Sequence, residues 1–199
     1  FTGPGKIILA ASGNVYEGDL DNFIRHGHGK LTYKNGNIYT GQYKDGIKHG
    51  QGKYESKTEG YVYEGEYQDG DKNGQGVCRW FASGAIYEGE YRNGAREGFG
   101  KFTWFGEENL TDNDDVFKSP SIKLTKKTKT SYRVDCRGEQ TKDLSVSSFG
   151  SETNFMYVYE GGWKDNKRHG QGKTTNSKGE VKTATYKNGK KVAIMNYDM

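Results

Sequence analysis

One glycine-rich phrase recurs along this chain, and it limits the fold more than any other feature. "YEGEYQDGDKNGQG", beginning at Tyr63, nearly repeats as "YEGDLDNFIRHGHG" at Tyr16, "YTGQYKDGIKHGQG" at Tyr39, "YEGEYRNGAREGFG" at Tyr87 and "YEGGWKDNKRHGQG" at Tyr159. The opening tyrosines Tyr16, Tyr39, Tyr63 and Tyr87 stand 23, 24 and 24 residues apart. A fixed period of this size marks a stack of small supersecondary units. Glycine at this density defeats a helix.

Each copy divides in two. "YEGEY" alternates ring, acid, glycine, acid, ring, the period-two pattern of a strand with one aromatic and one charged face. "QDGDKNG" is a turn. A second stretch such as "KYES", "VCRWF" or "KFTWF" follows the Gly-x-Gly pair, and a glycine closes the unit at Gly36, Gly60, Gly84, Gly106 or Gly179. The unit is a β-hairpin with a connecting turn. Glycines Gly18, Gly41, Gly65, Gly89 and Gly161 sit between two rings, where a neighbour's ring would lie on bare backbone. A lone hairpin is marginal in water, and stacking supplies the missing burial.

The totals agree with a flat or elongated molecule. Among 199 residues only 31% are hydrophobic, while 30 glycines stand beside 15 tyrosines. Mean hydropathy is -1.02. Burial must therefore come from aromatic rings and close backbone contact. A net charge of +4 is far from the dense field of a nucleic-acid binder. Cys78 and Cys136 make neither a disulfide framework nor a zinc set, so a reduced, cytoplasmic setting is the expectation. No apolar run approaches the roughly 18 residues of a membrane span.

The motif set, Tyr-Glu-Gly-(Glu)-aromatic, a Lys-Asn/Asp-Gly turn, Arg/Lys-His-Gly-x-Gly and a final Asn/Ser-Gly, resembles the MORN repeat, the membrane occupation and recognition nexus. The resemblance covers Tyr16 to Gly106 and Tyr159 to Val181. It implies an all-β fold: an elongated single-layer antiparallel sheet, or solenoid, of consecutive hairpins, interrupted by one long insertion. Residues 1–106 read as a partial copy and four complete ones, 107–155 as the insertion, and 156–199 as one complete copy with a degenerate cap. "GPGKIILAASG" aligns with the back half of a repeat, or is in part a protease-site remnant; "TATYKNGKK" keeps a ring and a turn but loses the rest.

The insertion opens acidic and continues through "KSPSIKLTKKTKT". It reads as an excursion from the sheet, mobile through its lysines, with short strand-like pieces at "SYRVDC" and "FMYVY".

Candidate sites divide into three sets. His26, His49 and His169 share one turn position, which Asn73 and Glu97 fill in the other copies, so they read as structural rather than catalytic or metal-binding. No nucleophile has an evident partner, and no cofactor motif is present, so the chain reads as non-catalytic. The aromatic ladder is the best candidate surface: Tyr39, Tyr43, Tyr63, Tyr67, Tyr87, Tyr91, Tyr159 and Trp163 on first strands, with Trp80 and Trp104 on second strands. These rings either pack the solenoid or line a groove for an extended peptide or an amphipathic helix. Lys118, Lys123, Lys126, Lys127 and Lys129 form the candidate lipid site. At about 1 kcal/mol each near an anionic membrane they give roughly 5 kcal/mol, a dissociation constant of order 0.1 to 1 mM, so recruitment would need a second signal.

Three functions follow from the resemblance. The first is a protein-interaction scaffold for a cytoskeletal, ciliary or motor-protein segment. The second is a membrane-tethering or phosphoinositide-binding module. The third is the targeting part of a larger enzyme, whose chemistry these residues would not perform. Open edge strands also leave room for a homodimer.

Overall fold

The computed structural model describes residues 1–106 and 155–195. Its strands are β1 Gly3–Leu9, β2 Asn14–Asp21, β3 Ile24–Thr32, β4 Ile38–Lys44, β5 Ile47–Ser56, β6 Tyr61–Gln68 and β7 Asp71–Trp80. They continue as β8 Ile86–Arg92, β9 Ala95–Gly106, β10 Phe155–Lys164, β11 Lys167–Asn176, β12 Val181–Lys187 and β13 Lys190–Met195. All thirteen form one open antiparallel sheet whose spatial order is the chain order. At about 4.8 Å per strand, twelve spacings carry the surface over roughly 58 Å.

The hairpins turn as the sequence demands. Asp45-Gly46, Asp69-Gly70 and Asn93-Gly94 all have positive φ at both turn residues, the type I′ geometry that suits the twist of paired strands. Asn22-Phe23 makes the same turn with a phenylalanine at φ 62°, a conformation that costs a bulky residue energy. Each tip is also tied to the tip before it: Gly46 N–H donates to Arg25 O at 2.8 Å, Gly70 to Lys48 O at 3.1 Å and Gly94 to Lys72 O at 2.9 Å.

Beyond each turn the register slips, as between Gly65 and Tyr67 where β6 meets β7. The acid or amide at the slip closes the gap. Asp19, Gln42, Glu66 and Glu90 each accept a hydrogen bond from the backbone N–H nine residues on, at 2.7 to 2.9 Å. The three repeated histidines lie past the turn, on β3, β5 and β11, just before Gly27, Gly50 and Gly170 with φ of 56°, 59° and 72°. Their expected turn position is thus corrected to the strand, because the tight turn spans only two residues.

The sheet does not break at the insertion. β9 pairs with β10 from Gly106↔Phe155 to Gly98↔Trp163, so the repeats on either side join directly. The strand expected at "FMYVY" is the start of β10; "SYRVDC" and the lysine run lie outside the described residues. β1 pairs with β2 so that Gly5 faces Gly18, the place a repeat's second strand takes.

Candidate interaction surface

Eleven glycines cross the sheet in one row, paired in succession: Gly5, Gly18, Gly29, Gly41, Gly52, Gly65, Gly76, Gly89, Gly100, Gly161 and Gly172. Ala184 ends it. The row is a floor for tyrosine rings. A Cβ on Gly76 would lie 2.5 Å from Cε2 and Oη of Tyr63 and 2.7 Å from its Cζ. Each opening tyrosine folds flat along the strand, and its hydroxyl donates to the carbonyl three residues on: Tyr16 to Asp19 at 2.7 Å, and Tyr39, Tyr63, Tyr87 and Tyr159 likewise at 3.0 Å.

The ring at the fifth position stands edge-on between two such tyrosines. Tyr67 meets Tyr63 at 5.3 Å and Tyr39 at 5.1 Å, with planes 90° and 87° apart. Tyr91 meets Tyr87 and Tyr63, Trp163 meets Tyr159 and Tyr87, and Tyr43 meets Tyr39 and Tyr16 in the same manner. This edge-to-face order, favoured by the ring quadrupole, runs unbroken from Tyr16 to Tyr186.

The arrangement corrects the expected groove. Tyr39, Tyr63, Tyr87 and Tyr159 have no exposed surface, and Tyr43, Tyr67, Tyr91, Trp104 and Trp163 are also buried. Neighbouring repeats cover both rings of each pair, so these nine side chains are the core of the sheet. Of the ten residues only Trp80 is half-buried. The rings left partly open on this inner face are Tyr33, Tyr54, Tyr61 and Trp80. Tyr33 meets Tyr54 at 6.1 Å and Tyr54 meets Tyr61 at 6.0 Å. The Asn37 amide, donating at 2.8 Å, holds the Tyr54 hydroxyl.

A cation accompanies every complete repeat, at the second residue after the turn: Arg25, Lys48, Lys72, Arg96 and Arg168. Each lies over the fifth-position ring of the next repeat, as Arg25 over Tyr43 at 5.2 Å and Arg96 over Trp163 at 4.5 Å. Arg25 and Arg96 also donate to the next turn, to Gly46 O and Asn166 O, each at 2.6 Å. The lysines are half-buried among rings. Lys48 Nζ is 4.9 Å from the centroids of Tyr39 and Tyr54 and 5.6 Å from those of Tyr33 and Tyr67. Lys72 Nζ is 4.7 Å from Tyr61 and 4.8 Å from Tyr63.

Burial sets the protonation chemistry here. It lowers the Lys48 amine to about 8, helped by the Arg25 charge and opposed by Asp71. Lys72 is lowered for the same reason. Burial pushes the Cys78 thiol up to about 11, against the pull of Lys72 and Arg96. Burial also raises the hydroxyls of Tyr39, Tyr43, Tyr63, Tyr67, Tyr87 and Tyr91 well above their ordinary value.

The opposite face is chemically different. Lys6 pairs with Glu17 at 2.9 Å, Lys53 with Glu64 at 3.4 Å, Lys101 with Glu88 at 3.8 Å and Lys173 with Glu160 at 3.0 Å. These half-exposed cross-strand pairs are worth little individually and fix register more than stability. Among the described residues no three His, Cys, Asp or Glu side chains converge on a possible metal site, and no helix is long and apolar enough to cross a membrane. The candidate lipid residues Lys118, Lys123, Lys126, Lys127 and Lys129 lie outside the described residues.

The row of glycines, the ring over each and the repeated turn define a single-layer β-hairpin repeat protein. The MORN repeat family model matches residues 16–38, 39–60, 63–82, 87–105 and 159–181, and the chain belongs to the MORN-repeat family. Proteins built of such repeats serve in protein or membrane interaction. A search of curated proteins finds no matching relative.

The sequence pattern concealed the half-open rings and the lysines. Tyr33, Tyr54 and Tyr61 lie outside the first and fifth positions. The cation was legible in every copy, but as part of the turn rather than as a neighbour of rings one strand away.

Proposed function

We propose that this chain is a non-catalytic scaffold that holds an extended segment or amphipathic helix of a partner protein against its inner face. The observation that supports this reading is the strip of half-open rings Tyr33, Tyr54, Tyr61 and Trp80 beside Lys48 and Lys72. Among the described residues the sheet has one layer, and Tyr33, Tyr54 and Tyr61 pack against the core while staying only partly buried. Amphipathic rings with a cation alongside suit protein recognition. A cytoplasmic partner of cytoskeletal, ciliary or motor origin fits a surface of this length. A targeting role within a larger enzyme is compatible with the same contact.

The test is capture from a cytosolic and cytoskeletal lysate, comparing the wild type with a Tyr54→Ala, Tyr61→Ala, Trp80→Ala variant that circular dichroism shows to be folded. Cross-linking should place the retained partner on β3 to β7. A partner bound equally by both baits refutes the inner-face reading. Salt-sensitive binding to anionic vesicles, with no specific protein, would favour the membrane reading instead.

A further inference from the structure

Lys48 and Lys72 differ from the arginines in the same row. Arg25 and Arg96 reach a backbone carbonyl of the next turn. Among the described residues neither lysine ammonium donates a side-chain hydrogen bond or joins an ion pair. Their surroundings are ring faces: Tyr39 and Tyr54 for Lys48, Tyr61 and Tyr63 for Lys72. The carboxylates that act on these lysines, Asp71 on Lys48 and Glu59 on Lys72, form no ion pair with them, and each half-buried ammonium loses hydration that a ring face restores only in part. Both amines hold their protons less tightly for that reason. The two stand in adjacent repeats, each beside a half-open tyrosine.

We propose that Lys48 and Lys72 are paired subsites for two carboxylates of an acidic, extended partner segment, seated between Tyr54 and Tyr61. The proposal rests on the scaffold reading and names the chemistry of its partner. The spacing specifies more. β5 and β7 are two strands apart, so the lysine positions are separated by about 9.6 Å across the sheet. A polyproline II segment returns every third side chain to one face after about 9.3 Å. Same-face residues of a β-strand fall at roughly 6.6 or 13 Å, which fits worse. The segment therefore carries Asp or Glu at positions i and i+3 and crosses the strands, its prolines or apolar residues lying on the tyrosines as aromatic-lined grooves receive such helices. Each ammonium would gain the charge-assisted hydrogen bond that its arginine counterparts already have in the form of a carbonyl.

The probe is a synthetic peptide of repeated Glu-Pro-Pro triplets, titrated into the full chain at low and moderate salt. Controls are the Gln-Pro-Pro peptide and a Glu-Pro-Pro-Pro peptide with the wrong period. Wild type is expected to bind the first peptide and neither control, and Lys48→Met and Lys72→Met are each expected to weaken binding at least about tenfold. Methionine keeps an apolar stem over the rings, and circular dichroism checks the fold. Lys53→Met and Lys101→Met, on the opposite face, should leave binding unchanged. Absence of binding, equal binding of the glutamine peptide, or indifference to Lys48→Met and Lys72→Met overturns the proposal. Binding of inorganic phosphate or phosphatidylserine vesicles through these lysines, without the peptide, overturns it in favour of a phosphate. A captured protein that depends on Tyr54, Tyr61 and Trp80 but not on Lys48 or Lys72 leaves the scaffold reading standing and removes the carboxylate subsites alone.

Discussion

Raising the pH should dissolve this sheet cooperatively, because its core is built of phenols. Tyr39, Tyr43, Tyr63, Tyr67, Tyr87 and Tyr91 are buried, and burial raises every one of their hydroxyls. A group held above its unfolded value stabilises the fold fully below that value, about 10 for tyrosine, and loses the contribution as pH climbs toward the folded value. At pH 11 each hydroxyl that ionises only on unfolding shifts the balance by about 1.4 kcal/mol, and the six together by about 8 kcal/mol. Whole domains are stable by roughly 5 to 15 kcal/mol, so the sheet should be lost near pH 11. Cys78, raised to about 11, acts in the same direction. Tyrosinate absorbance and far-ultraviolet circular dichroism, followed together against pH, make the assay. Ionisation of the core rings should coincide with loss of the β signal in one steep transition. If all 15 tyrosines titrated smoothly around their ordinary value while the β signal persisted, the buried aromatic layer would be refuted.

Lys48 has the opposite sign. Its folded value of about 8 lies below the unfolded one, so its cost is fully present below pH 8 and is relieved as pH rises toward about 10.4. Lys48→Met should therefore remove a rise in stability over that window, as urea unfolding at several pH values would show. Gly76→Ala drives a Cβ into the Tyr63 ring and should cost more than about 2 kcal/mol, whereas Gly94→Ala, with φ of 80° and nothing near, should cost about 1 kcal/mol of backbone strain. Equal effects in thermal unfolding would contradict the close ring contact. Glu66→Ala loses the acceptor for Gln75 N–H and should cost about 1 kcal/mol, and Glu66→Gln should restore it, since Gln42 performs that task one repeat earlier. If glutamine failed as alanine does, the bond would not be the reason for the residue.

The sequence by itself determined the unit and its order. Ring alternation at Tyr63, Gly65 and Tyr67, the Asp69-Gly70 turn and the 24-residue step from Tyr63 to Tyr87 are local signals, and each forces a hairpin next to its chain neighbour. Tertiary structure decided which face of which ring remains open. Tyr67 is buried because Tyr39, one repeat back, closes over it, and Tyr54 stays half-open because it lies beyond the reach of that chain of rings. Lys48 likewise reads as one turn residue among several until the next repeat brings Tyr67 beside it. Periodicity along a chain reports which residues share a face. Coverage depends on the strand next door, and on a single-layer sheet it separates core from surface within one row of tyrosines.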